Sequence, residues 1–263
     1  NAMVSLLISF KKSNSKQFKC ADSMDFEDHI YDSKEQLDRQ SQLQKIKKDI
    51  AGNYVGSSEE AKVSGLFDLL SGCGPLPQKL MDKHFLGNLV SYLLPFIATT
   101  LYTRRELLLS AGHIEEYMYF SQTGFARGFF IQEKTGREIT DFLWSEHSII
   151  TVPYSFFQQQ PSQTFIEIMP ETELMSISFR DLRACIKKYP VVEIFSRNVI
   201  LQYNAYETKR SHELSFLSAW ERYIGLLKIH PDIEQRVSKG VIASYLNIAP
   251  QSLSRMLKKR RHP

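Results

Sequence analysis

Between residues 101 and 179, glycine or proline recurs at positions 112, 124, 136, 153, 161 and 170, and the runs between them are short and rich in aromatic and β-branched residues. "EEYMYFSQTGFARGFFIQ", "GREITDFLWSE", "HSIITVPYSFF" and "SQTFIEIMPETELMSIS" carry this pattern. A breaker every ten or so residues interrupts any helix of ordinary length, whereas short strands joined by tight turns depend on such residues. Such spacing is the signature of an all-β sandwich or barrel, and a small β-barrel is expected. Gly136 in "KTGREI", lying between two strand-like runs, marks a hairpin turn.

The flanking regions have other periods. Residues 64–100 alternate Pro and Gly with apolar stretches at helical spacing, which reads as two or three short helices leading into the barrel. Residues 1–63 are polar and mixed in charge. The reading there is a mobile extension or a helix, "KEQLDRQSQLQKIKKDI", lying on another part of the chain. The opening "NAM" reads as a cloning remnant before Met3. After "SFRDL" the chain turns helical. Residues 190–216 open on Pro190 and run without another breaker. Val192, Phe195, Val199, Gln202 and Tyr206 recur there at spacings of three and four, continued at Phe216, with a second apolar edge at Ile194, Ile200, Leu201 and Tyr203. So wide a face must be buried against the barrel, a twin helix, or both, and a dimer seam is the favoured reading.

The C-terminal stretch "SKGVIASYLNIAPQSLSRMLKK" fits a helix-turn-helix. Val241, Ile242, Tyr245 and Leu246 form the inner face of a first helix, and Asn247 stands where the turn needs a left-handed backbone. Pro250 opens the second helix, with Leu253, Met256 and Leu257 facing inward. Gln251, Ser252 and Arg255 are then left outward on its early turns. Arg can bond guanine O6 and N7 in bidentate fashion, Gln can do the same with adenine N6 and N7, and Ser either donates or accepts. Lys258, Lys259, Arg260 and Arg261 extend the same helix with charge suited to phosphates. The whole chain carries a formal charge of only +4, so this basicity is local and points to a polyanion.

Other functional classes find little support. Cys20, Cys73 and Cys185 are odd in number and far apart, as in reduced cytosolic thiols, and they lack iron–sulfur spacing. The seven histidines form no i, i+3 or i, i+4 pair, so no metal site is expected. No G-x-S-x-G, P-loop, H-E-x-x-H or dinucleotide fingerprint occurs, and the chain is read as no enzyme. Glu115 and Glu116 read as a solvated pair beside a turn. No apolar run is long enough to span a bilayer, and no signal peptide is recognised, so a cytoplasmic protein is expected.

From about residue 100 to 260 the chain resembles the Crp/Fnr family of transcription regulators. The resemblance rests on "RRELLLSAG", "YMYFSQTGFARGFF", "TELMSISFRDL", "KKYP" and, most diagnostically, "IASYLNIAPQSLSRMLKK". It implies an α+β protein with an antiparallel, jelly-roll-like β-roll sensor domain, a long dimerisation helix and a small all-α helix-turn-helix domain. The corresponding spans are 1–63 for the polar extension, 64–189 for the roll with its leading helices, 190–216 for the dimerisation helix and 217–263 for the helix-turn-helix domain. Implied partners are double-stranded DNA with a two-fold operator, a second copy of the chain and, as a candidate, RNA polymerase.

Departures from the family pattern bear on the effector. Aligned back from "TELMSIS", the phosphate-binding position falls on Ser162, its neighbour on Gln163 and the ribose-binding glutamate on Val152. No arginine lies between Arg137 and Arg180. A cyclic nucleotide would keep an uncompensated phosphate at a cost of several kcal/mol, so cAMP and cGMP are not expected. Trp144, Phe142, Tyr154, Phe156 and Phe157 suit either an apolar effector pocket or an ordinary core. The candidate pocket comprises Trp144, Tyr154, Phe156, Ser162, Gln163 and Tyr203, with no cofactor and an effector of unknown identity. At the DNA-binding end, Ala249 stands where a Ser or Thr cap is usual, and the chain is expected to lack a β-wing. The competing reading is a ligand- or partner-binding roll whose basic helix docks on an acidic protein.

Overall fold

The computed structural model describes residues 33–57, 59–72 and 76–261. The expectations for residues 1–32, Cys20 and Cys73 lie outside the described residues, as does the side chain of Arg260. Two compact units divide the chain after Asp38, and the fold belongs to the second, Arg39–Pro263.

Eight strands are described: β1 (Ala98–Tyr102), β2 (Glu106–Leu109), β3 (Tyr117–Thr123), β4 (Ala126–Gln132), β5 (Arg137–Trp144), β6 (Ile149–Ile150), β7 (Phe165–Ile168) and β8 (Thr172–Ser178). They pair antiparallel in two four-stranded sheets, ordered β1-β8-β3-β6 and β2-β7-β4-β5. Consecutive strands thus alternate between sheets except at the β4–β5 hairpin, and the architecture is the jelly-roll-like β-roll that the family resemblance implies. Gly136 makes the β4–β5 hairpin with φ 63°, and its N–H reaches the Gln132 carbonyl at 2.8 Å. Between the sheets lie Leu109, Ala126, Ile150, Val152, Ile166, Ile168 and Leu174, all buried.

Helices close one side of the roll. Helix α1 (Ser33–Ala51) buries Leu43, Ile46 and Ile50 at spacings of three and four. Within the second unit, the part of this helix from Arg39 to Ala51 therefore lies on the core that the following helices share. Helices α2 (Glu60–Gly72) and α3 (Lys83–Leu93) add Val63, Phe67, Leu70, Leu86 and Val90 to the same core, which includes Phe120 and Met175 from the roll. Each such side chain contributes about 1.5–3 kcal/mol on burial. A one-and-a-half-turn helix, α4 (Pro153–Gln158), interrupts the strands and sends Phe156 into this core.

Beyond the roll come α5 (Phe179–Lys188), capped by Ser178, and the 24-residue α6 (Glu193–Phe216). The stripe offered by the sequence to the roll or to a twin helix goes to its own chain over most of its length. Val192, Phe195 and Val199 are buried, the Gln202 amide donates to the Gly72 carbonyl at 2.9 Å, and Tyr206 is bonded to β5. Phe216, at 75% exposure, is not covered. Then follow α7 (Ala219–Ile229), α8 (Ile233–Arg236), α9 (Lys239–Tyr245) and α10 (Pro250–Arg261). Ser218 and Glu221 form a reciprocal capping box at the head of α7.

Candidate nucleic-acid interface and junction cavity

Helices α9 and α10 meet at a short turn whose geometry follows from its residues. Ser238 caps α9 by accepting from the Val241 N–H, Asn247 takes the left-handed conformation at φ 51°, and Pro250 supplies the fixed φ that a first helical residue needs. The Ile248 N–H returns to the Ala243 carbonyl at 3.0 Å. Leu253 is fully buried, in a cluster with Val241, Ile242 and Leu246, while Met256 and Leu257 pack at its border. This anchors one side of α10 and turns the other outward. Gln251, Arg255, Lys258 and Lys259 are exposed, Ser252 is half-buried, and an Arg255 Nη2 lies 3.4 Å from Ser252 Oγ. An exposed helix face with these donors and charges can enter a major groove.

The motif is attached to the roll through α9. Ser244 Oγ accepts from the Thr140 N–H at 2.7 Å and donates to the Glu138 carbonyl at 2.9 Å, so a helix side chain completes hydrogen bonds of strand β5. Arg137 donates to the Ile248 carbonyl at 2.6 Å, and Arg236 bridges to Glu146 at 2.6 Å and to the Gly124 carbonyl at 3.0 Å. Phe125, Leu143 and Met169 of the roll join the motif's apolar cluster. From α6, the Arg210 guanidinium lies 3.9 Å over the Tyr245 ring and donates to the Tyr245 carbonyl. None of these contacts was legible from local sequence, because each joins residues at least 35 positions apart.

Where the roll, α6 and the motif converge there is a cavity of about 370 Å³. The β4–β5 register skips Asp141, a bulge that leaves its carbonyl to accept from Tyr206 Oη at 2.9 Å. Phe142, next on β5, stacks nearly parallel to Trp144, Tyr203 and Tyr206, with centroids 5.4, 4.8 and 4.8 Å away. Gly128 permits this array, since a Cβ there would stand 2.9 Å from the Trp144 ring. Tyr206 and Tyr245 join hydroxyls at 3.2 Å.

Of the candidate pocket residues, the structure brings Trp144 and Tyr203 to this cavity and places the other four elsewhere. Tyr154 is 64% exposed and Phe156 is buried in the core beneath the flanking helices. Gln163 faces solvent. Ser162 is buried, but its hydroxyl is spent on its own loop, donating to the Thr164 carbonyl and accepting from the Thr164 N–H.

The expectation of a solvated Glu115–Glu116 pair holds only for Glu116. Glu115 is 2% exposed, with Oε2 accepting from the Val152 N–H at 2.7 Å and from Thr151 Oγ1 at 3.0 Å. Its Oε1 has no hydrogen-bond partner among the described residues. Burial pushes the carboxyl up to about 8, against the smaller opposing pull of those two donors. Sequence gave no signal for this, because a charged residue beside a glycine turn ordinarily stays in water. Among the described residues no group of metal-ligating side chains is gathered, and no helix is long and apolar enough to cross a membrane.

No protein-family model matches the chain, and no curated protein matches it in sequence. Solved structures do share its fold. A putative Crp/Fnr-family transcriptional regulator from Eubacterium rectale is 14% identical, with a TM-score of 0.56 over 66% of this chain and 82% of that one. The regulator CLP of Xanthomonas campestris, described as c-di-GMP responsive, is 16% identical at TM-score 0.54, covering 66% of this chain and 91% of its own. FixK2 of Bradyrhizobium japonicum is 16% identical at TM-score 0.53, covering 62% and 83%. The structural neighbours are thus Crp/Fnr regulators, and the likeness at these identities is one of fold.

Proposed function

We propose that this chain is a DNA-binding transcriptional regulator of Crp/Fnr type, acting in the cytoplasm as a homodimer on a two-fold symmetric operator and catalysing no reaction. The observation that carries the reading is α10. Its apolar side is held by Leu253, and its free side presents Gln251, Arg255, Lys258 and Lys259 together. Gln251, Ser252 and Arg255 would read base edges, while Lys258, Lys259 and Arg260 would fix register on phosphates. Because the Val192–Tyr206 stripe is used within the chain, a dimer would form along the other side of α6, through Leu201, Ala205, Thr208, His212 and Phe216. All five are exposed. RNA polymerase is a further proposed partner.

A cyclic nucleotide is not proposed as effector. The Val152 N–H is taken by Glu115 and the Ser162 hydroxyl by Thr164, and Gln163 is exposed to solvent, so the carried-over positions offer a phosphate no cation and no buried free donor. The test is selection of bound duplexes from a random pool, then fluorescence anisotropy of the selected duplex and a scrambled one at several salt concentrations. The selected site should be a near-palindrome with half-sites about 34 Å apart, and log affinity should fall linearly with log salt. Equal affinity for every duplex would overturn sequence-specific regulation. Retention of an acidic protein with no affinity for DNA would assign α10 to protein docking.

A further inference from the structure

We propose that the junction cavity is an effector site for an uncharged, flat aromatic molecule, whose binding is felt directly by the DNA-binding motif. The regulatory consequence rests on the function proposed above; the binding site itself does not.

Three observations converge on the ligand class. The first is size: about 370 Å³ lies within the range of small-molecule sites. The second is shape. Trp144, Phe142, Tyr203 and Tyr206 form an array with interplanar angles of 10, 19 and 25° about Phe142, so a planar guest can extend the stack in the same orientation. The third is charge. Among the described residues the wall contains no Lys, Arg, Asp or Glu, and its polar side chains are hydroxyls, the Gln202 amide and two imidazoles. Burial, and then Arg236, lower the pKa of His230, which favours a neutral ring at neutral pH. A charged ligand would enter without a counter-ion, whereas a neutral one with one or two polar atoms would be satisfied.

The cavity is not the cassette transferred by the family resemblance, since neither Ser162 nor Gln163 reaches its wall. Its position also supplies the coupling. Trp144 belongs to the roll, Tyr203 to α6, and Tyr245 to α9, which carries the turn into α10. An occupant touching all three biases how the motif is seated on the roll. This is a difference in contacts between two arrangements, which is what a ligand needs in order to shift an equilibrium.

The probe is N-phenyl-1-naphthylamine, neutral and planar in its fused ring, titrated into the full chain while its own emission and Trp144 quenching are read. Its sulfonated analogue, 8-anilinonaphthalene-1-sulfonate, tests the charge argument. Saturable binding at one probe per chain is expected, with the sulfonate at least about tenfold weaker, a difference of about 1.4 kcal/mol. Gln202→Trp, at an exposed position on the rim, should fill the cavity and weaken the probe at least about tenfold, and Ser148→Phe provides the same test if that variant fails to fold. Tyr154→Ala, at an exposed position outside the cavity lining, should leave binding unchanged. Equal binding of both dyes, or undiminished binding to folded filled variants, would overturn the site, as would no saturable binding. Adding the probe to the complex with the selected duplex should change DNA affinity about threefold or more in the wild type and not in Gln202→Trp. Probe binding without such a change would overturn the coupling. Probe binding without any DNA binding would leave the site standing and remove the regulator reading, whereas DNA binding without probe binding would do the reverse.

Discussion

Helix α9 and its continuation bury every residue from 241 to 246, whereas α10 buries Leu253 alone among residues 250–259. Both are short, and both sit on one apolar cluster. They differ in what lies on the far side. For α9 it is strand β5, which takes Ser244 into its own hydrogen bonding; for α10 it is solvent. A helix held on two sides can transmit a displacement of the roll, and a helix held on one side is free to meet a partner. Under the proposed function, the pair separates the element seated on the roll from the element offered to DNA.

The separation can be broken experimentally. Ile242→Ala, at 1% exposure between the two surfaces of α9, should cost about 2–5 kcal/mol in urea unfolding. A truncation of similar size at exposed Gln251 should cost almost nothing, and equal losses would erase the contrast. Glu115→Gln provides a reference inside the roll, at a residue belonging to neither helix. Because burial raises the Glu115 carboxyl to about 8, the folded chain holds a proton that the unfolded chain releases near 4.5. That contribution is fully present below pH 4.5, falls as pH rises, and is gone above about 8. The Gln variant should consequently gain a few kcal/mol relative to wild type between pH 5 and pH 8.5, read as thermal midpoints; a constant difference would place the carboxyl in water.

Smaller effects sharpen the comparison. Arg255→Ala should lose about 1–3 kcal/mol of affinity for the selected duplex, relax preference at one base pair, and leave the melting temperature unchanged. Ser244→Ala should do the opposite. It strands the buried Thr140 N–H, at about 1–3 kcal/mol of stability, and alters DNA affinity only through the seating of the motif. Smallest is Lys259→Ala, which should weaken all duplexes alike and reduce the salt slope by about one unit. A base-specific loss in that variant would move the reading surface further along α10.

Much of this was legible locally. Gly136 and Asn247 take positive φ where turns were read, Pro250 opens α10, and Leu253 faces inward while Gln251 and Arg255 face out. Such features depend on one residue's conformational range or on the 3.6-residue period. The cavity was half legible: Trp144 and Tyr203 were singled out as aromatic, but nothing near them says that they stand on one wall. Tyr154 and Phe156, two residues apart on α4, look equally apolar, and one is exposed while the other is core.

What the sequence determined by itself is the order and type of elements and the chemistry of α10, because turn residues, periodicity and charge act over a few positions. Only the tertiary structure decided that the α6 stripe lies against its own roll, that Glu115 is enclosed with Val152 and Thr151, and that Ser244 closes onto β5. Those outcomes depend on which surfaces exclude water from one another across tens of residues, and that free energy is a property of the assembled packing rather than of any local stretch.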